Sequence, residues 1–239
     1  MARLYRSLLF VPGNNPRFLE KAKTSTADIV CFDLEDSVPD PEKKTARDLI
    51  KKALQSRGQY SSSVYVRTNS PISGKIPADL QEIIQKGLDG IVIPKVNNPA
   101  ELAKITKIIS SLEKKRKLKP VSVIPSIESA QGVVNTYEIA KSSKRIPAVV
   151  FGVFDLLNDL GIEYTKQAQG AQYSRAKIPV DAKAAGVLAI DGIWQDLQDI
   201  AGLREDCLAG KRLGYSGKSI IHPDQIQHAH ELYAPNKSE

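Results

Sequence analysis

Nine polar residues stand immediately after short apolar runs: Asp33, Glu35, Asp36, Arg67, Lys95, Glu128, Asp155, Asp191 and His222. If those runs are strands of one parallel sheet, these side chains gather at a single edge, as carboxylates facing cations. That combination suits an anionic substrate held on a divalent metal. Glu128 and Asp155 follow successive runs. Neighbouring strands lie about 4.8 Å apart, so both carboxylates could reach one ion. Mg²⁺ takes one or two protein carboxylates and leaves the rest of its octahedral shell to water and substrate. The alternative is that each acid caps the helix that follows it. Arg67, in Val66-Arg67-Thr68-Asn69, offers a guanidinium fork that pairs bidentately with a carboxylate, such as a dicarboxylate or 2-oxo acid, or equally with Asp33 or Glu35. Lys95 reads as a salt-bridge partner inside the rim, and Asp191 as a possible helix cap.

The runs that position these residues are rich in β-branched side chains. They fall at Ser7–Pro12, Asp28–Leu34, Ser63–Thr68, Gly90–Pro94, Val121–Ile127, Ala148–Phe151, Val187–Ile190 and Lys218–Ile221. Helical periodicity fills the gaps, as in Ala46, Leu49, Ile50, Ala53 and Leu54, and in Leu102, Ile105, Ile108, Ile109 and Leu112. Asp40-Pro41 and Asn98-Pro99 each place a capping side chain before a proline, and Glu101 completes a box with Asn98. Eight strands, apolar on both faces and alternating with helices, predict a (β/α)₈ TIM barrel, α/β in class, as a single domain over residues 1–239. An open doubly wound sheet is the second choice, but no Gly-x-Gly-x-x-Gly follows the first strand.

Composition excludes other classes. With 239 residues, 41% hydrophobic and 26% charged, the chain needs no disulfide or zinc staple. No apolar run approaches the ~20 residues of a membrane span, and no leader pattern is visible, so the expected location is cytoplasmic. Cys31 and Cys207 are far apart, and Cys31 reads as a buried small hydrophobe. Lys and Arg total 34 against 27 Asp and Glu, a net charge of +7. The basic run Lys114–Lys119 has no interleaved aromatics and matches no nucleic-acid module, so neither nucleic acid nor membrane is expected as partner. Gly214–Ser219 resembles a phosphate loop but carries Arg212 where a glycine is required. His222, His228 and His230 read as solvent-exposed, and Asn236-Lys237-Ser238 as a glycosylation sequon by spelling only.

Eight motifs occur in order: RSLLFVPGNN (Arg6–Asn15), DLEDSV (Asp33–Val38), VRTN (Val66–Asn69), IPK (Ile93–Lys95), IESAQG (Ile127–Gly132), FGVFDL (Phe151–Leu156), AIDG (Ala189–Gly192) and GYSGKSIIHPDQ (Gly214–Gln225). Together they resemble the citrate lyase β-subunit branch of the HpcH/HpaI aldolase family. The resemblance implies a Mg²⁺-dependent TIM barrel, commonly a homotrimer, that cleaves or forms a carbon–carbon bond in a 3-hydroxyacyl thioester. It further implies that Glu128 and Asp155 are metal ligands and that Arg67 binds the substrate carboxylate. Phe10, Arg17 and Lys21 fall at positions contacting a CoA or acyl-carrier thioester. The backbone of Ser129 and Ala130 falls where amide donors meet substrate, which would include a 2-oxo acid. Longer members add a C-terminal lid carrying a catalytic aspartate. This sequence ends soon after Gln225, so the expectation is a barrel lacking that lid, with the acid/base role falling to Glu35 or Asp36 or completed by a separate subunit. A thioester hydrolase or synthase on the same site, or a binding subunit needing a partner, are the alternatives.

Overall fold

The computed structural model describes residues 4–166 and 168–234, so the Asn236 sequon lies outside the described residues. Its elements alternate along the chain. They begin with β1 (Ser7–Pro12), α1 (Pro16–Lys21), β2 (Ile29–Asp33), α2 (Lys43–Gln55), β3 (Ser63–Arg67) and α3 (Ile76–Ile83). Next come β4 (Gly90–Ile93), α4 (Pro99–Arg116), β5 (Ser122–Ile127), α5 (Ala130–Val134), α6 (Thr136–Lys141) and β6 (Ala148–Phe151). The last are α7 (Val153–Leu160), α8 (Gln172–Ala184), β7 (Leu188–Asp191), α9 (Ile200–Leu213), β8 (Gly217–Ile220) and α10 (Gln225–Leu232). The strands close in sequence order into a barrel, parallel throughout, with β8 pairing β1. No helix among the described residues is long and apolar enough to cross a membrane.

Two apolar layers hold this arrangement. Inside the barrel pack Leu8, Ile29, Cys31, Tyr65, Val92, Ile124, Ala148, Val150 and Ile190. Between strands and helices pack the alternate residues, including Val30, Phe32, Val64, Ile91, Val123, Val149 and Ile220. Residues i and i+2 of a strand share a face, so each strand feeds both layers and must be apolar on both sides. Tyr65 fills the barrel axis, and a Cβ on Gly90 would lie 2.2 Å from its ring; only glycine fits there.

Helix signals held where a side chain could reach an orphan amide. Asn98 accepts from Glu101 N–H at 3.0 Å, and Glu101 returns a bond from Asn97 N–H, also at 3.0 Å. Asp40 does not cap α2. It opens a short 3₁₀ turn and pairs instead with Lys75 Nζ at 2.5 Å, while α2 starts at Lys43. In α4 the buried apolar side chains are Leu102, Ile105 and Ile109, with Ile108 turned toward solvent. His230 differs from its expected exposure. It is half-buried against β1, with Nε2 2.8 Å from Ser7 Oγ.

Candidate active site

The C-terminal ends of the strands surround a cavity of about 420 Å³ lined by Phe10, Asp33, Asp36, Arg67, Ser126, Glu128, Asp155 and Ser219 among others. Inward alternation brings Asp33 of β2 and Arg67 of β3 together, directly opposite each other in the register of the two strands. Arg67 grips Asp33 with both arms of its fork, Nε to Oδ1 at 2.6 Å and Nη2 to Oδ2 at 2.7 Å. Asp33 also accepts Glu35 N–H and the amide and hydroxyl of Ser37. Burial pushes its carboxyl up, but the Arg67 charge and these hydrogen bonds override that and hold it down at about 2. The pairing of Arg67 with Asp33 therefore forms, and it leaves Nη1 pointing at Glu35 (3.2 Å) and the exposed Asp36 (3.3 Å). The guanidinium also stacks 4.7 Å from the Phe10 ring centroid.

Glu128 follows β5 and is buried at the cavity wall. It accepts the Ser126 hydroxyl and, at 3.2 Å, the Lys95 N–H. Its room comes from Gly152, where a Cβ would sit 2.3 Å from Glu128 Cγ. Burial raises its carboxyl above the usual range, and the Asp155 charge adds to this against Arg67, Ser126 and Lys95. Asp155 does not end a strand as its neighbour does. It sits in the first turn of α7, past Gly152, where the helix N-terminus favours an acid. Capping position and cavity position thus coincide in one residue.

Lys95 bridges the acids: its Nζ is 3.1 Å from Glu35 Oε1, 3.7 Å from Asp36 and 3.1 Å from Asp155 Oδ1. Its backbone is left-handed, φ 52°, which costs a non-glycine residue about 1 kcal/mol and turns both its N–H and its ammonium into the site. Glu35 lies at the centre. Neither of its buried oxygens accepts a hydrogen bond among the described residues, despite the nearby cations. Burial lifts its carboxyl to about 8; Glu128 and Asp36 push the same way, and Arg67 and Lys95 oppose them.

Two of the remaining expectations, the free Ala130 amide and the inward facing of Asp191, are modified. Ala130 N–H donates to Asp159 Oδ2 at 2.7 Å, so that amide is already engaged. The Ser129 hydroxyl is held by Asn97 and by the Gly132 N–H it caps. Asp191 turns outward between β7 and the helices, where it meets Arg175 and Lys218 and not the cavity. Phe10 and Lys21 line a second groove of about 690 Å³ between α1 and the β8–α10 turn, which shares Phe10, Pro12 and Ile221 with the cavity. Arg17 lies exposed on α1 beside it.

Sequence reading missed Lys43, whose buried ammonium donates to the carbonyls of Leu34 (2.7 Å) and Glu35 (2.6 Å) and so fixes the Asp33–Asp36 turn. It also missed Ser126, whose only signal was its place two residues before Glu128, on the same strand face.

No three His, Cys, Asp or Glu side chains gather into an ion cage among the described residues. A metal here would take two protein carboxylates, Glu128 and Asp155. The glycine-made space at Glu128 and its carboxylate beside Asp155 at the open cavity fit a hard cation with a largely water and substrate shell.

Residues 6–223 match the family described as HpcH/HpaI aldolase/citrate lyase. The chain is 36% identical over 239 residues to the citrate lyase subunit beta of Leuconostoc mesenteroides subsp. cremoris, covering 99% of this chain and 79% of that one. It is 34% identical to a (3S)-malyl-CoA thioesterase of Cereibacter sphaeroides, covering 100% of this chain and 80% of that one. The fold is similar to the M. tuberculosis citrate lyase beta subunit complexed with oxaloacetate and magnesium, with TM-score 0.81 and 27% identity over 97% of this chain and 98% of that one. The matched segment runs from before β1 to beyond β8 and includes every cavity acid and Arg67. The chain belongs to the HpcH/HpaI aldolase/citrate lyase family.

Proposed function

We propose that this protein is a carbon–carbon lyase that cleaves, or in reverse forms, a 3-hydroxyacyl thioester of the citryl, malyl or citramalyl type, giving an acetyl thioester and a 2-oxo acid. The observation that carries the reading is the meeting, in one cavity, of the buried Glu128 and the Asp155 carboxylate with Arg67. A groove of thioester-arm size leaves that cavity past Phe10. A magnesium ion held by Glu128 and Asp155 would supply Lewis acidity to the substrate hydroxyl and its neighbouring carboxylate.

The chain's own residues do the rest. Arg67, braced by Asp33 and flattened on Phe10, presents Nη1 to a substrate carboxylate once the exposed Asp36 gives way. Glu35, with its carboxyl near 8, exchanges a proton with the substrate hydroxyl at neutral pH. When the hydroxyl proton leaves, the carbon–carbon bond breaks and its electron pair enters the thioester enolate. The 2-oxo acid departs, and the enolate carbon takes a proton to become the acetyl thioester. Lys95 offsets the mutual repulsion of Glu35, Asp36 and Asp155 while staying protonated: burial pulls its ammonium down, but the three acids raise it above its ordinary value. Lys21, on the groove, and Arg17 beside it suit the phosphates of a CoA or acyl-carrier arm.

A thioester hydrolase on the same site is the second reading, favoured by the likeness to the malyl-CoA thioesterase. The test incubates the purified protein and magnesium with citryl-, malyl- and citramalyl-CoA and follows 2-oxo acid and free CoA separately. Release of 2-oxo acid with acetyl-CoA supports the lyase. Free CoA without 2-oxo acid replaces it by the hydrolase, and no product from any of the three overturns both.

A further inference from the structure

The wall of the cavity opposite the acids holds a donor that the charged cluster leaves unused. β8 points Lys218 and Ile220 outward and therefore turns Ser219 inward, in register with Leu8 of the barrel interior. Ser219 is 1% exposed, lines the same cavity as Arg67, Glu128 and Asp155, and its hydroxyl makes no hydrogen bond among the described residues. Buried hydroxyls are almost always paired. One turned into a cavity is a donor whose partner is a ligand oxygen. Two residues on, along the same side of the chain, Ile221 borders both the cavity and the groove, together with Phe10 and Pro12. Ser219 therefore stands where the acidic end of the site gives way to the path of a thioester arm.

Carbon–carbon cleavage needs a donor at that place, because charge develops on the thioester oxygen as the enolate forms. The Ala130 amide is engaged by Asp159, and Arg67 gives Nε and Nη2 to Asp33. We propose that Ser219 is a catalytic residue whose Oγ–H donates to the thioester carbonyl oxygen and binds it more tightly as it becomes the enolate oxygen. This inference rests on the lyase reading. The hydroxyl keeps its own proton throughout: the electron pair of the broken bond enters the enolate, and the proton lost by the substrate hydroxyl goes to the carboxylate side of the cavity.

Ser219→Ala removes a buried donor that has no hydrogen-bond partner among the described residues, so the fold keeps its stability. The variant is expected to lower kcat on the order of 100-fold with KM nearly unchanged, and Ser219→Thr, which restores the hydroxyl, to recover part of the rate. Deuterium uptake from D₂O into the acetyl methyl of acetyl-CoA, followed by NMR, reads enolisation alone and should fall in parallel. A Ser219→Ala enzyme with wild-type turnover and wild-type exchange overturns the assignment. So does a loss of rate that tracks a loss of melting temperature and is not rescued by threonine. A wild-type protein that neither cleaves nor exchanges instead sinks the lyase reading and takes this inference with it, so the two failures are told apart by which protein is silent.

Discussion

Inside the barrel mouth, Asp33, Glu35, Asp36, Glu128 and Asp155 face Arg67 and Lys95, an excess of acid around open space. Outside β7 and β8 a second cluster matches Asp191 and Asp206 with Arg175 and Lys218, acid for base. Arg175 joins both acids, and Lys218 does the same from the strand. Both clusters are largely buried; the inner one grows from β2 to β5 and the start of α7, the outer one from β7, β8 and the helices packed on them. They differ in what is left over. The outer one satisfies itself: Asp206 is held below its ordinary range because Lys218 and Arg175 outweigh burial. The inner one leaves Glu35 without a hydrogen bond among the described residues and lifts Glu35 and Glu128 upward. Balanced buried charge ties helices to strands, whereas unbalanced charge around a cavity is completed by something that binds.

Glu128→Gln provides the largest expected effect. It should cost at least about 10³-fold in magnesium-dependent cleavage, roughly 4 kcal/mol of transition-state stabilisation. The melting temperature should hold or rise, because a buried acid is neutralised. Retained lyase activity would erase the distinction between the clusters. Lys218→Met is the converse. It strands two buried carboxylates with one remaining cation, so denaturant unfolding should show a loss of about 3 kcal/mol. The folded fraction should keep its turnover, and a selective loss of catalysis would make the outer cluster part of the site.

The third and smallest effect concerns acid. Asp33 is depressed to about 2 in the folded protein, against roughly 3.9 for an unfolded aspartate. Its contribution, roughly 2–3 kcal/mol, is therefore fully present above pH 4 and lost as pH falls from about 4 through about 2. Urea unfolding between pH 5 and pH 2.5 should show this loss. Asp33→Asn should flatten that segment of the profile, and a profile unchanged in Asp33→Asn would mean that other acids carry the acid sensitivity.

Most of the barrel was legible along the chain. β1 and β6 begin and end as their apolar runs do, and Asn98 with Glu101 forms the expected box. The facing of polar residues at strand ends was less legible. A strand buried on both sides shows no polar alternation, so nothing in Leu188-Ala189-Ile190-Asp191 says which side Asp191 takes. Its place at a strand end matches that of the inward acids, yet it points outward to Arg175 and Lys218. Lys43 escaped notice for a related reason: on a helix rich in lysine, only the fold singles out the one whose ammonium reaches two loop carbonyls.

The sequence by itself determined the barrel and the acids and arginine that follow its strands, because β-branched apolar runs, helical periodicity and chain order are local properties that short segments carry whole. Tertiary structure alone decided which of those charges share a cavity. It set Glu35 between Arg67 and Lys95, placed Asp155 on a helix and Glu128 in space left by Gly152, and turned the Ser219 hydroxyl inward. Those outcomes depend on distances between segments far apart in the chain and on the water that closure removes, which no single segment encodes.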